Sequence, residues 1–441
     1  MGKQQCHGII YAWVCIENYF FGGRHLRGHF IWRHVQVSLD GLCSITHKFA
    51  ARAVALSNRF RITLTSFLAY FVMSGMLAPI GIISGPMAVA FDLPITEVTA
   101  YFSYLTVGIF VGAVLALFAL SWLRIRTLLL GVFGVIAISL AALALNGRLE
   151  FVAIVLGAVG VGCGVGLPAA ALVIARTYAA EQRASMLVIT DGSFSVAGVV
   201  CAWVAVTAIA QGLAWSTTYL FVGAIALALI VLASLSDYPD EAALADAEPP
   251  ISSWPVSAWL CIAALCLYTL AQNTMLWWLP QYAQNQLGMR AASAGALVGQ
   301  FWSGMFAAQI FVAWWVFRIG VSRLLGVAAV STVLFSIPIW WVSDARWLWA
   351  LAALWGFANL GLLKVVLSYG SQFTAVASPR LVSSLLLGAT TGTAISPWVS
   401  SQMVAFGDAG TALRLGSVTY LVMVGLVALA VLLNRGRVKV G

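Results

Sequence analysis

From residue 60 onward the chain is a succession of twelve apolar runs, each about as long as a membrane crossing, with short polar breaks between them. A helix needs about 20 mostly apolar residues to cross the hydrocarbon of a bilayer. The runs lie near 60–84, 98–121, 127–146, 151–178, 184–210 and 215–235, then near 257–280, 293–317, 323–343, 347–370, 381–404 and 412–433. In lipid every backbone N–H and C=O must find its partner within the protein, so runs of this kind become helices. Composition agrees: 62% of the residues are hydrophobic and 8% are charged, against about 25% charged in soluble domains. A soluble chain this apolar could not clothe its own surface. The predicted fold class is therefore all-α and integral to the membrane, with twelve transmembrane helices in two pseudo-symmetric six-helix bundles. In such a chain the net charge of +9 is no sign of nucleic acid; the lipid bilayer is the partner implied.

The first fifty-odd residues have a different character. They hold all five histidines (His7, His25, His29, His34, His47) and three of the seven cysteines (Cys6, Cys15, Cys43). The apolar stretch from Gly8 to Gly22 is short and is interrupted by Glu17, which makes a poor spanning helix. It also lacks the small-residue cleavage site of a signal peptide. His25 and His29 stand at i, i+4, a spacing that suits a metal, yet no Cys-x-x-Cys pattern closes a ligand set. Residues 1–56 read as an N-terminal extension, disordered or belonging to a start placed too early, with no metal and no cofactor expected. The remaining cysteines (Cys163, Cys201, Cys261, Cys266) fall inside apolar runs, where a small hydrophobic role is the default.

A polar segment with Asp237, Asp240, Glu241, Asp246, Glu248, Pro249 and Pro250 separates the sixth run from the seventh. Residues 236–254 read as a solvated linker between a bundle of residues 57–235 and a second of 255–434, with 435–441 as a basic tail. Lys and Arg in the short loops set orientation. Arg59, Arg61, Arg124, Arg126, Arg176, Arg183, Arg318, Arg323, Arg380, Arg435, Arg437 and Lys439 fall on one side, and Arg148, Arg290, Arg346 and Arg414 on the other. That bias places both termini in the cytoplasm. The halves also repeat. A shift of 197 residues lays Arg126 on Arg323 and Arg183 on Arg380, and Arg126-Thr-Leu-Leu-Leu-Gly-Val is similar to Arg323-Leu-Leu-Gly-Val. Parallel repeats of six helices place substrate near mid-membrane, between the halves.

Four local patterns carry a family resemblance. They are Asn58-Arg59-Phe60-Arg61-Ile62-Thr63-Leu64 with Ser66-Phe67-Leu68-Ala69-Tyr70, Thr190-Asp191-Gly192-Ser193-Phe194-Ser195-Val196-Ala197-Gly198, Tyr268 and Gln272 before Trp278-Leu279-Pro280-Gln281-Tyr282-Ala283, and Gly370-Ser371-Gln372 before Ser378-Pro379-Arg380-Leu381-Val382. Together, over residues 57–433, the chain resembles the TsgA-like branch of the major facilitator superfamily, near the fucose permeases. The resemblance implies a secondary transporter in a bacterial inner membrane, moving a small-molecule solute by alternating access, with protons as the coupling partner and a monomer as the working unit. The superfamily's loop between helices two and three is reduced here to the basic residues of Ser121-Trp122-Leu123-Arg124-Ile125-Arg126. Fucose permeases carry carboxylates in helices one and four; helix one here has none, and helix four has Leu167-Pro168-Ala169-Ala170-Ala171 instead.

Two charges remain inside the apolar runs, Asp191 and Lys364. A charge at membrane depth is expensive and faces a cavity or a partner. Asp191 lies about 12 Å along helix five from Arg183, at 1.5 Å per residue, with Ser195 and Gly198 on its face. It reads as a proton or cation site or an interdomain gate, with a structural anchor as the plain alternative. Lys364 can snorkel to the interface, or pair with Asp191 across the two halves as a coupling or gating link. Helix one carries Gly75, Pro79, Gly81, Gly85 and Pro86, breaks tolerated where a helix lines a cavity. Substrate-cavity candidates are Tyr70, Ser74, Ser195, Gln272, Asn273, Trp277, Gln300, Trp302, Gln309 and Asn359, amides and aromatic faces that suit a sugar-like or other polar metabolite; the plain alternative for each is interhelical hydrogen bonding. The glycines of helix four (Gly157, Gly160, Gly162, Gly164, Gly166) need only close helix packing. No nucleophile elbow, acid pair or phosphate-binding loop follows residue 60, so no enzyme is expected. Efflux and a transporter-derived sensor remain as alternatives.

Overall fold

The computed structural model describes residues 58–145, 148–178, 180–238, 254–370, 373 and 379–438. The chain divides into two units, Met1–Phe60 and Arg61–Gly441. Of the first, residues 58–60 are described and are helical; everything below concerns the second. The extension of residues 1–56, linker residues 239–253 and the tail beyond 438 lie outside the described residues.

Among the described residues the regular structure is helical, with no strand. The first half consists of α1 (Asn58–Leu77), α2 (Ile80–Phe91), α3 (Ile95–Trp122), α4 (Ile125–Leu145), α5 (Leu149–Thr177), α6 (Ala180–Ala210) and α7 (Thr217–Ser234). The second consists of α8 (Val256–Leu287), α9 (Ala291–Ile319), α10 (Val321–Trp341), α11 (Ala345–Ala358), α12 (Leu362–Gly370), α13 (Pro379–Phe406) and α14 (Ala409–Val438). α1 with α2 makes the first pass and α11 with α12 the tenth, giving two sets of six. Helix ends alternate between two faces. One bears Arg61, Arg124, Arg126, Arg176, Arg323 and Arg380 and is called the arginine face below.

Among the described residues eleven helical spans are long and apolar enough to cross a bilayer, and α13 is not among them. It has the length, 28 residues, but its Ser and Thr content lowers its hydropathy. Several of its hydroxyls are satisfied locally. Thr391 donates to the Leu387 carbonyl at 2.8 Å, Thr393 to Ala389 at 3.2 Å and Ser396 to Thr393 at 2.8 Å, the back-bonding that lets such residues sit inside a helix. The helix is also enclosed. Thr106 of α3 donates to its Ala394 carbonyl at 3.0 Å and Thr269 of α8 to its Ala389 carbonyl at 2.7 Å.

Glycine lets the helices meet backbone to backbone. A β-carbon on Gly108 of α3 would collide with the Gly157 carbonyl of α5, and one on Gly160 with the Leu105 carbonyl. In the second half, a β-carbon on Gly304 of α9 would collide with the Ala353 carbonyl of α11, and one on Gly356 with the Phe301 carbonyl. Each of these four positions lies 196 residues after its counterpart in the first contact. The duplicated unit is thus visible as the same contact built twice, one residue from the shift that aligns the arginines. Small residues at helix crossings are what membrane packing favours, because lipid supplies no hydrophobic drive between helices.

Two passes are interrupted. α1 ends at Leu77 and the chain restarts after Pro79, whose ring supplies no N–H to the helix. The other glycines of that pass do not break it; Gly81 instead meets the Trp277 backbone of α8 with no room for a β-carbon. The tenth pass breaks at Asn359–Gly361, a break not among the expectations above. Leu360 (φ 44°) and Gly361 (φ 61°) both adopt left-handed backbone, a conformation that strains leucine. The Ala358 carbonyl freed by the break accepts from Ser331 of α10 at 2.7 Å.

Candidate functional site: a charged cluster between the two halves

Asp191 stands eleven residues into α6, and Lys364 six residues from the end of α12. Both lie on the arginine-face side of the middle of their passes. Lys364 Nζ is 2.7 Å from Asp191 Oδ1, and Gln309 Nε2 of α9 donates to Asp191 Oδ2 at 3.2 Å. A carboxylate of the first half is therefore held by an ammonium and an amide of the second. The two sides of the pair are not equally enclosed: the Lys364 side chain is 36% exposed and that of Asp191 16%. Both oxygens of Asp191 are engaged, whereas the ammonium has three protons, of which the contact with Asp191 uses one. Tyr70 of α1 lies within the field of both charges, and Tyr268 of α8 within that of Asp191.

The other candidates separate into two groups. Asn273 Nδ2 donates to Thr393 Oγ1 at 3.2 Å and the Trp277 indole to the Leu77 carbonyl at 3.1 Å; both spend their donors as bridges to neighbouring helices. In contrast, Ser74 Oγ, Ser195 Oγ, Trp302 Nε1, Gln309 Oε1 and Asn359 Oδ1 are buried polar atoms with no hydrogen-bond partner. Ser195 lies one turn beyond Asp191 on the same helix. Trp302 covers Gly198 of α6 so closely that no β-carbon fits, with the Phe194 ring centroid 5.6 Å from its own. Gln272 is buried and Gln300 half-buried; neither hydrogen-bonds to the pair. The structure thus gathers Asp191, Lys364, Gln309 and Tyr70 into one cluster, with Ser195 and Trp302 next along the α6–α9 contact.

Toward the opposite face the halves close on each other. Beyond the Gly81–Trp277 contact, Gly295 of α9 sits against Val206 of α6 and Ile82 of α2, both about 3 Å from where its β-carbon would be. A cleft of about 430 Å³ lies among α2, α6, α8 and α9 at this end, with Gln281 and Gln284 as its amide side chains. Gly81, Gly85 and Pro86, the helix-one positions expected to face a cavity, line it, and none of the polar substrate-cavity candidates does. Gln284 is partly spent, donating to the Pro280 carbonyl at 3.2 Å.

Residues 62–378 match the family model of the Major Facilitator Superfamily. The chain belongs to that superfamily. It is 30% identical over 371 residues to Protein TsgA homolog of Edwardsiella ictaluri, an alignment covering 83% of this chain and 94% of that protein. Protein TsgA of Salmonella arizonae is 30% identical over 374 residues, and that of an Escherichia coli O9:H4 strain 28% identical over 374, with the same coverage. The fold is similar to the crystal structure of a mutant of the nucleoside transporter NupG, with a TM-score of 0.63, 14% identity, and coverage of 85% of this chain and 98% of that one.

As a facilitator of the TsgA branch, the chain is a multi-pass membrane protein that transports a small solute and is not an enzyme. The family resemblance read from the four motifs is borne out. Two features of this facilitator escaped the sequence reading. One is the cleft at the opposite face, whose signal was Pro280-Gln281 within helix seven. The other is the break in the tenth pass, for which Asn359 and Gly361 inside an apolar run are the available sign.

Proposed function

We propose that this facilitator carries a small polar solute across a bacterial inner membrane by alternating access of its two halves, with Asp191 and Lys364 as the coupling link between them and both termini in the cytoplasm. The observation that carries this is the ion pair itself. It joins α6 to α12, hence one half to the other, at a depth where a structural salt bridge is costly to keep. Two further features support it. Toward the opposite face Gly81 and Gly295 bring the halves into contact beside the cleft, while the Lys364 side chain, on the arginine side of the membrane middle, is partly exposed. Gln309 Oε1 within the cluster and Ser195 Oγ, one turn from Asp191, are buried without partners, and such groups normally find water or solute. The arginine bias of the loops supports a cytoplasmic arginine face. The substrate class of NupG, a nucleoside transporter, makes hydroxylated metabolites reasonable first probes.

Exchange in proteoliposomes tests the reading. Vesicles preloaded with unlabelled sugar, nucleoside or sugar acid should accelerate entry of the matching labelled solute, and Asp191→Asn with Lys364→Gln should alter the response to an imposed pH gradient. A protein that binds a solute and never exchanges it would be a sensor, and the transport mechanism would be withdrawn.

A further inference from the structure

We propose that the Asp191–Lys364 cluster binds a small hydroxylated monocarboxylate on the Lys364 ammonium and that a proton joins Asp191 as it binds, an inference that rests on the transport reading only for which solute crosses. The asymmetry of the pair decides the sign of the ligand. A cation would have to reach Asp191, whose two oxygens are taken by Lys364 and Gln309 and whose side chain is the more enclosed. An anion needs only the ammonium, which has N–H donors beyond the one turned to Asp191 and sits on the less enclosed of the two side chains, 36% exposed against 16%. The phenol of Tyr70, buried on α1, lies within the field of both charges. Beyond the pair, Ser195 Oγ and Trp302 Nε1 are buried without partners, a hydroxyl and an indole N–H suited to a hydroxylated body.

Charge balance supplies the proton. Before binding, Asp191 and Lys364 sum to zero. A carboxylate on Lys364 would leave two anions around one ammonium in a poorly solvated place, and like charges so close favour protonation of one of them. With a proton on Asp191, the ligand and Lys364 again sum to zero, so ligand and proton enter together as a neutral pair. A dianion would leave one charge over. Gln309 suits either state of Asp191: its N–H₂ donates to the carboxylate, and its Oε1, buried without a partner, can accept from a carboxylic O–H once the amide turns over. The titratable groups facing Asp191 are Lys364 from α12, Tyr70 from α1 and Tyr268 from α8. α9 contributes the uncharged Gln309 and, at its end, Arg318; α5 has Glu150 and Arg176 at its two ends, and α7 has no charged residue.

The test is a binding titration of the purified full-length protein, followed by tryptophan fluorescence and thermal shift. Sodium gluconate, glucuronate and lactate are compared with sodium chloride at matched ionic strength, and with glucose and glucosamine, at pH 5.5 and 7.5. At least one carboxylate should bind saturably, and about tenfold tighter per pH unit of acidification if one proton joins each ligand. Asp191→Asn, a permanent mimic of the protonated acid, should keep carboxylate binding and lose its pH dependence. Asp191→Asn with Lys364→Gln leaves no unpaired charge, so it should fold, and it should not bind carboxylates. Binding of glucose or glucosamine with all carboxylates silent overturns the proposal and leaves the transport reading standing; so does carboxylate binding equal at the two pH values. No binding by any probe overturns it as well. Carboxylate binding without exchange in liposomes would uphold this site and remove the transport reading.

Discussion

Neutralising the two ends of the ion pair should have unequal effects, and the inequality follows from their enclosure. Lys364→Gln strands Asp191, 16% exposed, with one hydrogen bond from Gln309. Breaking a fully buried pair costs about 3–5 kcal/mol; partial access to solvent reduces this to roughly 2–3 kcal/mol. Asp191→Asn strands Lys364, whose longer and more exposed side chain can lift its ammonium toward water, at about 1 kcal/mol. The double variant has no stranded charge and loses about one net hydrogen bond, near 1 kcal/mol. The two single losses then exceed the double loss by roughly 2–3 kcal/mol, a coupling expected only of groups in contact. Unfolding of the purified protein in mixed micelles, with the two single variants and the double variant measured side by side, reads this directly. Exchange activity gives an independent reading: Asp191→Lys and Lys364→Asp should each fail, and their combination should recover part of the rate. Effects that add to within about 0.5 kcal/mol, together with no recovery on reversal, would show that the pair does not hold in the membrane.

Three further perturbations have definite outcomes. Gly160→Ala and Gly356→Ala place a methyl group against a facing carbonyl in symmetry-related contacts, so each should destabilise by about 1–3 kcal/mol, by similar amounts, in the same micelle unfolding assay. Gly361→Ala meets no neighbour within 4 Å but sits at φ 61°; its cost should be that of the left-handed backbone alone, about 1–2 kcal/mol, and a neutral result would mean the tenth pass is not broken there. Trp277→Phe removes the bond to the Leu77 carbonyl while keeping an aromatic ring, so it should cost about 1 kcal/mol and loosen the closure at the opposite face, read as faster hydrogen exchange in α2.

Much of the architecture was legible because the bilayer imposes a length and a polarity on every crossing. The exception is instructive. α13 is the pass whose Ser and Thr residues dilute its hydropathy; several of those hydroxyls return to its own carbonyls, and α3 and α8 each donate a side-chain hydrogen bond to its backbone, facts about neighbours that no window of sequence contains. The same limit applies to the site. Asp191 and Lys364 were conspicuous as charges in apolar surroundings, and counting residues along each helix placed them at similar depth. Their 2.7 Å contact, and the amide of Gln309 behind it, depend on how α6, α9 and α12 turn toward one another. Among the amides and indoles, composition could not separate Asn273 and Trp277, which bridge helices, from Trp302 and Ser195, which keep unspent polar atoms.

The duplication explains why the site lies where symmetry fails. The glycine contacts of α3 with α5 and of α9 with α11 are copies, 196 residues apart, and they set the spacing of the helices in each half. At the same shift, Lys364 corresponds to Pro168 and Asp191 to Leu387, so neither charge has a charged counterpart. The breaks are unmatched as well. Pro79 interrupts the first pass, and α8, its counterpart, runs unbroken through Pro280; the tenth pass breaks at Leu360–Gly361, and α5 is continuous through Cys163-Gly164-Val165. Placing the carboxylate in one half, the ammonium in the other and a strained joint one turn from that ammonium gives the two halves something to exchange, and exchange-deficient variants are therefore expected among the unpaired residues before the duplicated ones.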